Sequence, residues 1–210
     1  MKRLFLTSSS RFVASHIAKD LKLSSTNNRL AFIKTASEAE EGDLQWLKDD
    51  RKGLTDAGFD VFDYTITGKT ADQIKADLKS VDIIYFSGGN TFYLLEKVQE
   101  SKCTPVIREF ILKERKIYMG TSAGSVIAGP DIYPTYYLEN MVKAPNLKGY
   151  KGFGLVNFVV FPHWGSDHFK NLYLNHRIEH AYTEKNAIIL LTDYQYARVE
   201  EDWYKIIEVK

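Results

Sequence analysis

Over its first 130 residues this chain alternates between apolar runs of strand length and longer runs with helical spacing. Strand patterns fall at 3–6, 30–34, 59–65, 83–86 and 117–119, and helical patterns at 11–23, 44–57, 71–78, 92–100 and 106–113. Strands that alternate with helices are joined by right-handed crossovers, which yields a mostly parallel sheet covered on both faces. The run Ile83-Ile84-Tyr85-Phe86 is apolar at every position, as a strand buried on both sides must be. The fold expected is an α/β sandwich, with the sheet between two layers of helices. Its 210 residues suit one domain.

Residues 130–156 break the pattern. They hold Pro130, Pro134 and Pro145 and four tyrosines, and are expected to run over the surface as a hairpin or lid. Alternation then resumes, with a strand at 158–161, a helix at 169–182 and a strand at 188–191. The tail, 196–199 and 203–209, reads as an antiparallel hairpin at a sheet edge, turning at Glu201-Asp202. A formal net charge of +1 provides no field for nucleic acid or anionic lipid. The single cysteine, Cys103, rules out an internal disulfide framework and fits a cytoplasmic location. The N-terminal apolar run turns polar at Thr7, too early for a signal peptide. The longest aliphatic run, 187–191, is far short of a membrane span.

The chemistry concentrates at Gly120-Thr121-Ser122-Ala123-Gly124, which follows an apolar run and precedes a small-residue helical segment. A G-x-S-x-G sequence between strand and helix makes a nucleophile elbow, with the serine in strained geometry and its hydroxyl exposed. Serine needs a base. His163 follows the strand at 158–161, taken as central in the sheet, and in open α/β sheets sites gather at the carboxyl ends of strands. His168 is the second candidate, and His16 in an early helix reads as incidental. Asp193, at a third strand end, can orient the base, with Asp131, Glu139 and Asp167 as rivals. Ser87-Gly88-Gly89-Asn90-Thr91 lies between a strand and a helix, so the N–H groups of Gly89 and Ala123 suit a two-donor oxyanion hole. A phosphate loop is the rival reading of that segment, although G-x-G-x-x-G spacing and a Walker lysine are missing. His176-Arg177-Ile178-Glu179-His180 matches the H-x-x-E-H zinc pattern, but its polar neighbours suit a wet helix surface, and no metal is expected.

The chain resembles the peptidase E family of serine peptidases, which includes aspartyl dipeptidases and cyanophycinases. The resemblance spans nearly the whole length and rests on Leu4-Phe5-Leu6-Thr7-Ser8, Ser87-Gly88-Gly89-Asn90-Thr91-Phe92, Gly120-Thr121-Ser122-Ala123-Gly124 and Phe161-Pro162-His163. It implies a flavodoxin-like α/β three-layer sandwich related to class I glutamine amidotransferases, Ser122 as nucleophile, His163 as base and Asp193 as acid where the best-known dipeptidases place a glutamate. It implies hydrolysis of dipeptides or short peptides without a cofactor, by a monomer or homodimer, with Gly88, Asn90 and Arg177 at the substrate. The alternatives are an esterase or amidase using the same triad, or an idle module binding a small anion. Strict aspartyl dipeptidases carry Glu-Thr-Arg-Glu-x-Arg-Ile after the histidine. Alignment on Arg177-Ile178 puts Leu174 at the first arginine, so uncharged N-terminal residues are expected to be accepted at least as well as aspartate. Arg177, Lys143 and Lys148 are the cations able to substitute.

Overall fold

A computed structural model describes residues 1–181 and 186–209. The first half runs β1 (Arg3–Thr7), α1 (Ser10–Leu21), β2 (Arg29–Ile33), α2 (Gln45–Asp56), β3 (Asp60–Tyr64), α3 (Ala71–Asp77), β4 (Ile83–Phe86), α4 (Thr91–Ser101), α5 (Thr104–Leu112) and β5 (Ile117–Thr121). Then follow α6 (Ala123–Val126), α7 (Leu138–Met141), β6 (Phe158–Phe161), α8 (Asp167–Leu172), a π-helical turn (Tyr173–Arg177), α9 (Ile178–Ala181), β7 (Ala187–Leu190), β8 (Gln195–Glu200) and β9 (Trp203–Glu208). Local chemistry sets several boundaries. Thr70 and Gln73 form a reciprocal capping box at α3. Asn90 caps α4, and Pro105 occupies the first turn of α5.

Among the described residues, the main sheet has the order β3-β2-β4-β5-β1-β8-β9. The first five strands in that order are parallel, while β8 and β9 form the C-terminal hairpin, antiparallel to β1 and to each other. Side chains alternate across each strand and divide between two core layers. Phe5, Leu30, Phe32, Ile83 and Tyr85 pack with Val13, Ile17 and Leu54 of α1 and α2. Leu4, Leu6, Ala31, Ile33, Ile84 and Phe86 face the opposite layer with Ile74, Leu94 and Ile107 of α3, α4 and α5. Helices thus change face after β3, where the chain turns back and inserts β4 and β5 between β2 and β1. In such sheets the crevice at the strands' carboxyl ends near the reversal receives ligands.

Three expectations are corrected. The strand at 158–161 is not central in the main sheet: β6 pairs in parallel with β7 in a separate two-stranded sheet. The free edge of β1 is taken by β8 in register Thr7↔Tyr196, so no position beside β1 is left. Instead β6 lies across the layer, with Phe158 and Val160 in the main core and Val159 and Phe161 in a satellite cluster with Tyr173 and Ala181. Residues 130–156 are no loose excursion, because Ile132, Ala144, Phe153 and Leu155 are buried in the main core. Asn90 Nδ2 also donates to the Asn140 carbonyl, and the Asn146 N–H to Glu96, tying the segment to α4. The helix expected over 169–182 is interrupted by the π turn, and Tyr182 lies outside the described residues. Among the described residues, no helix is long and apolar enough to cross a membrane.

Candidate active site

Ser122 stands between β5 and α6 with φ 49° and ψ −112°, a strained geometry that puts its side chain at the carboxyl end of the sheet. Its N–H donates to the Thr7 carbonyl at 3.1 Å, which ties the elbow to β1. The turn is packed backbone to backbone: a Cβ on Gly124 would lie 2.0 Å from the Phe86 carbonyl oxygen. Buried hydroxyls reinforce it. Tyr118 donates to the Gly124 carbonyl at 2.6 Å, and Ser125 bonds the carbonyls of Thr7 and Gly120.

His163, two residues past β6, also has positive φ, at 60°. Its Nε2 lies 3.1 Å from Ser122 Oγ and its Nδ1 lies 2.7 Å from Asp193 Oδ1. Asp193 reaches this point because β7 ends beside β6, with the Leu191 N–H on the Phe161 carbonyl, and because β8 starts beside the end of β1. Burial would raise the Asp193 pKa, but hydrogen bonds from His163 and Ser8 and the charges of His163 and Arg11 outweigh it, holding the carboxyl below its ordinary value. Phe169 stacks on the imidazole, with ring centroids 4.6 Å apart and planes at 17°. Ser8 joins the group: its hydroxyl accepts from the His163 N–H and donates to Asp193 Oδ1, both at 2.6 Å.

The Ser87–Asn90 loop abuts the serine, since a Cβ on Gly88 would lie 3.3 Å from Ser122 Cβ. Gly89 has φ 124°, and a Cβ there would meet the Ala36 carbonyl at 2.4 Å, so only glycine fits. Among the described residues, the N–H groups of Gly89 and Ala123 donate no hydrogen bond to the protein. Asn90 departs from expectation. It is 1% exposed and does not line the cleft. Its Oδ1 accepts from the Phe92 and Tyr93 N–H groups and its Nδ2 donates to the Asn140 carbonyl, so its side chain caps α4 and ties it to the 138–141 segment instead of facing the cleft.

The cleft around these groups has a volume of about 650 Å³ and is walled by Trp46, Gly88, Thr135, Tyr137, Leu172 and Arg177 among others. Arg177 is 7% exposed and lies over the Tyr173 ring at 5.2 Å, and among the described residues its buried Nε has no partner. Burial pushes its pKa down, offset by Tyr173 and Tyr137. Leu174 is 54% exposed and does not line the cleft, because the π turn directs Tyr173 and Arg177 inward. The position that carried the expectation about uncharged residues therefore does not face the site. Lys143 donates to the Ala39 carbonyl, and neither it nor Lys148 lines the cleft.

The rival residues are elsewhere or outside description. Asp131 accepts from the Tyr133 N–H at 2.8 Å, Asp167 is exposed at the start of α8, and His16 bonds the Tyr196 hydroxyl. The side chains of Glu139, His168, His176, Glu179 and His180 lie outside the described residues, so the zinc pattern does too. Sequence reasoning assigned no role to Ser8, Trp46 or Phe169. Ser8 stood in the sequence as the end of the Leu4-Phe5-Leu6-Thr7-Ser8 motif and in the polar run after β1, neither of which indicates a partner.

Residues 4–207 match the model of peptidase family S51. The uncharacterized peptidase Lmo0363 of Listeria monocytogenes is 32% identical over 195 residues, covering 93% of each chain. Peptidase E of Shewanella amazonensis is 36% identical over 87 residues, which is 41% of this chain and 35% of that one. A crystal structure of a Listeria monocytogenes protein assigned to peptidase E superposes over the whole of both chains with a TM-score of 0.88 and 28% identity.

Proposed function

Since the chain belongs to peptidase family S51 and is a serine hydrolase, we propose that it cleaves dipeptides or short peptides with Ser122, His163 and Asp193 as its triad. The observation that carries this reading is the run of contacts from Ser122 Oγ through the imidazole to Asp193, at 3.1 and 2.7 Å. A carboxylate held ionised only accepts hydrogen bonds, so it keeps the imidazole proton on Nδ1 and leaves Nε2 as the acceptor facing serine. His163 takes the Ser122 proton as Oγ attacks the scissile carbonyl, then delivers it to the leaving amine. The N–H groups of Gly89 and Ala123 hold the developing oxyanion. Water, deprotonated by the same histidine, releases the acyl group. The scheme needs no cofactor.

Arg177 extends the reading to specificity. A buried guanidinium with no carboxylate partner among the described residues is costly, and a substrate carboxylate entering the cleft supplies one, in the geometry a guanidinium recognises best. Dipeptides beginning with an acidic residue are then preferred.

A dipeptide library assayed against wild type, with Ser122→Ala as blank, tests both points. Ser122→Ala loses ~10⁴-fold or more in turnover, and residual activity within tenfold of wild type ends the serine mechanism. A kcat/KM for Asp-Leu ~100-fold above Ala-Leu, about 2.7 kcal/mol, that disappears in Arg177→Met supports the carboxylate role. Equal rates for both dipeptides exclude it.

A further inference from the structure

Ser8 sits one residue beyond β1 and is 1% exposed, yet it lies among the three groups assigned to catalysis. Its two shortest hydrogen bonds have a forced direction. The His163 N–H can only donate, so the Ser8 oxygen accepts it at 2.6 Å. The Asp193 carboxylate only accepts, so the single hydroxyl proton goes to Oδ1, also at 2.6 Å. That Oδ1 is the same oxygen that faces His163 Nδ1 at 2.7 Å, and Ser8 Oγ is itself 3.3 Å from Nδ1. The main chain of Ser8 ties to the elbow: its carbonyl accepts from Thr121 Oγ1 at 3.1 Å, one residue before Ser122.

The fold explains why such a bridge is needed. Ser122 is built on the main sheet, whereas His163 and Asp193 hang from the ends of β6 and β7 in the separate sheet. His163 also holds a positive φ that a residue with a Cβ rarely adopts. One hydroxyl, anchored to β1, fixes the backbone of that histidine and the carboxylate oxygen that orients its ring.

We propose that Ser8 is a positioning residue that locks His163 and Asp193 onto the sheet that carries Ser122. The proposal rests on the triad reading above. Its donated proton also helps to keep Asp193 ionised, in line with the lowered pKa of that carboxyl.

The test is a cycle of Ser8→Ala, Asp193→Ala and the double variant. It is read by the rate at which a fluorophosphonate acylates Ser122 and by kcat/KM on the best dipeptide of the library. Ser8→Ala slows acylation by roughly 10- to 100-fold. In the Asp193→Ala background the same change costs markedly less than in wild type, since the bond to Oδ1 is already gone and only the one from the His163 N–H remains to be lost. Ser8→Cys fills the same space with a poor donor and is slowed as well, while Ser8→Thr, which restores a hydroxyl, recovers most of the rate. Wild-type acylation by Ser8→Ala or Ser8→Cys overturns the proposal, as does an equal penalty in both backgrounds, which marks a purely structural residue. A readout independent of acylation separates this from failure of the triad itself. The imidazole Nδ1 proton bonded to Asp193 gives a far-downfield proton resonance that shifts or broadens in Ser8→Ala. If it is unmoved, Ser8 does not position the pair, whether or not Ser122 is the nucleophile.

Discussion

The two sides of the cleft are held by different means. Ser122 stands on a turn where main chain packs on main chain, with Gly124 against Phe86 and the Ser122 N–H on Thr7. His163 and Asp193 stand on loops beyond a two-stranded sheet, joined to the serine side by side-chain hydrogen bonds and a stacked phenyl ring. A site assembled this way is intolerant on one side and adjustable on the other. Changes at the elbow glycines act through folding, because a Cβ there meets backbone that cannot move aside. Changes at the base and acid act through geometry and proton transfer, and leave the core intact.

The comparison breaks most visibly at the histidine. His163→Ala is expected to cost ~10⁴-fold or more in kcat/KM, nearly the loss of Ser122 itself, and Asp193→Asn ~10²–10⁴-fold, with the fold retained in both. If His168→Ala proves the more damaging histidine change, the base has been misassigned.

The elbow is expected to respond in the opposite way. Gly124→Ala destabilises the fold by ~4 kcal/mol or more, measured by urea unfolding. A well-folded Gly124→Ala protein with wild-type stability contradicts the backbone packing described for this side.

Acid sharpens the contrast through Asp193. Its folded pKa is depressed, so its contribution to stability is fully present above the unfolded value of ~3.9 and is lost as pH falls through the folded pKa. The melting-temperature advantage of wild type over Asp193→Asn should therefore be constant from neutral pH down to ~5 and shrink below ~4. An advantage that persists undiminished at lower pH shows that the carboxylate is not stabilised by its partners. The smallest effect is expected at Phe169. Phe169→Ala removes one wall of the imidazole and lowers kcat/KM by less than ~10-fold, and a larger loss means that the ring does more than stack.

Much of the main sheet was legible because local periodicity reports burial. The unbroken apolar β4 and the alternation through β1–β5 follow from which faces each segment must hide. The elbow was legible for a related reason: Gly120, Ser122 and Gly124 satisfy a steric demand confined to five residues. Asn90 shows the limit. Its place in the Gly-Gly-Asn loop suggested a substrate contact, whereas the start of α4 claims its side chain.

What the sequence by itself determined is therefore the set of strands and helices, the strained serine turn and a histidine and an aspartate at strand ends. The tertiary structure alone decided that β8 takes the edge of β1, which sends β6 and β7 into their own sheet. It alone turned Arg177 inward and Leu174 outward through one π turn, and brought Ser8 between His163 and Asp193 across 155 and 185 residues of chain. The physical reason is that periodicity encodes which side of a segment is buried, while edge pairing, helical register and long-range hydrogen bonds depend on which surfaces meet once the chain has collapsed.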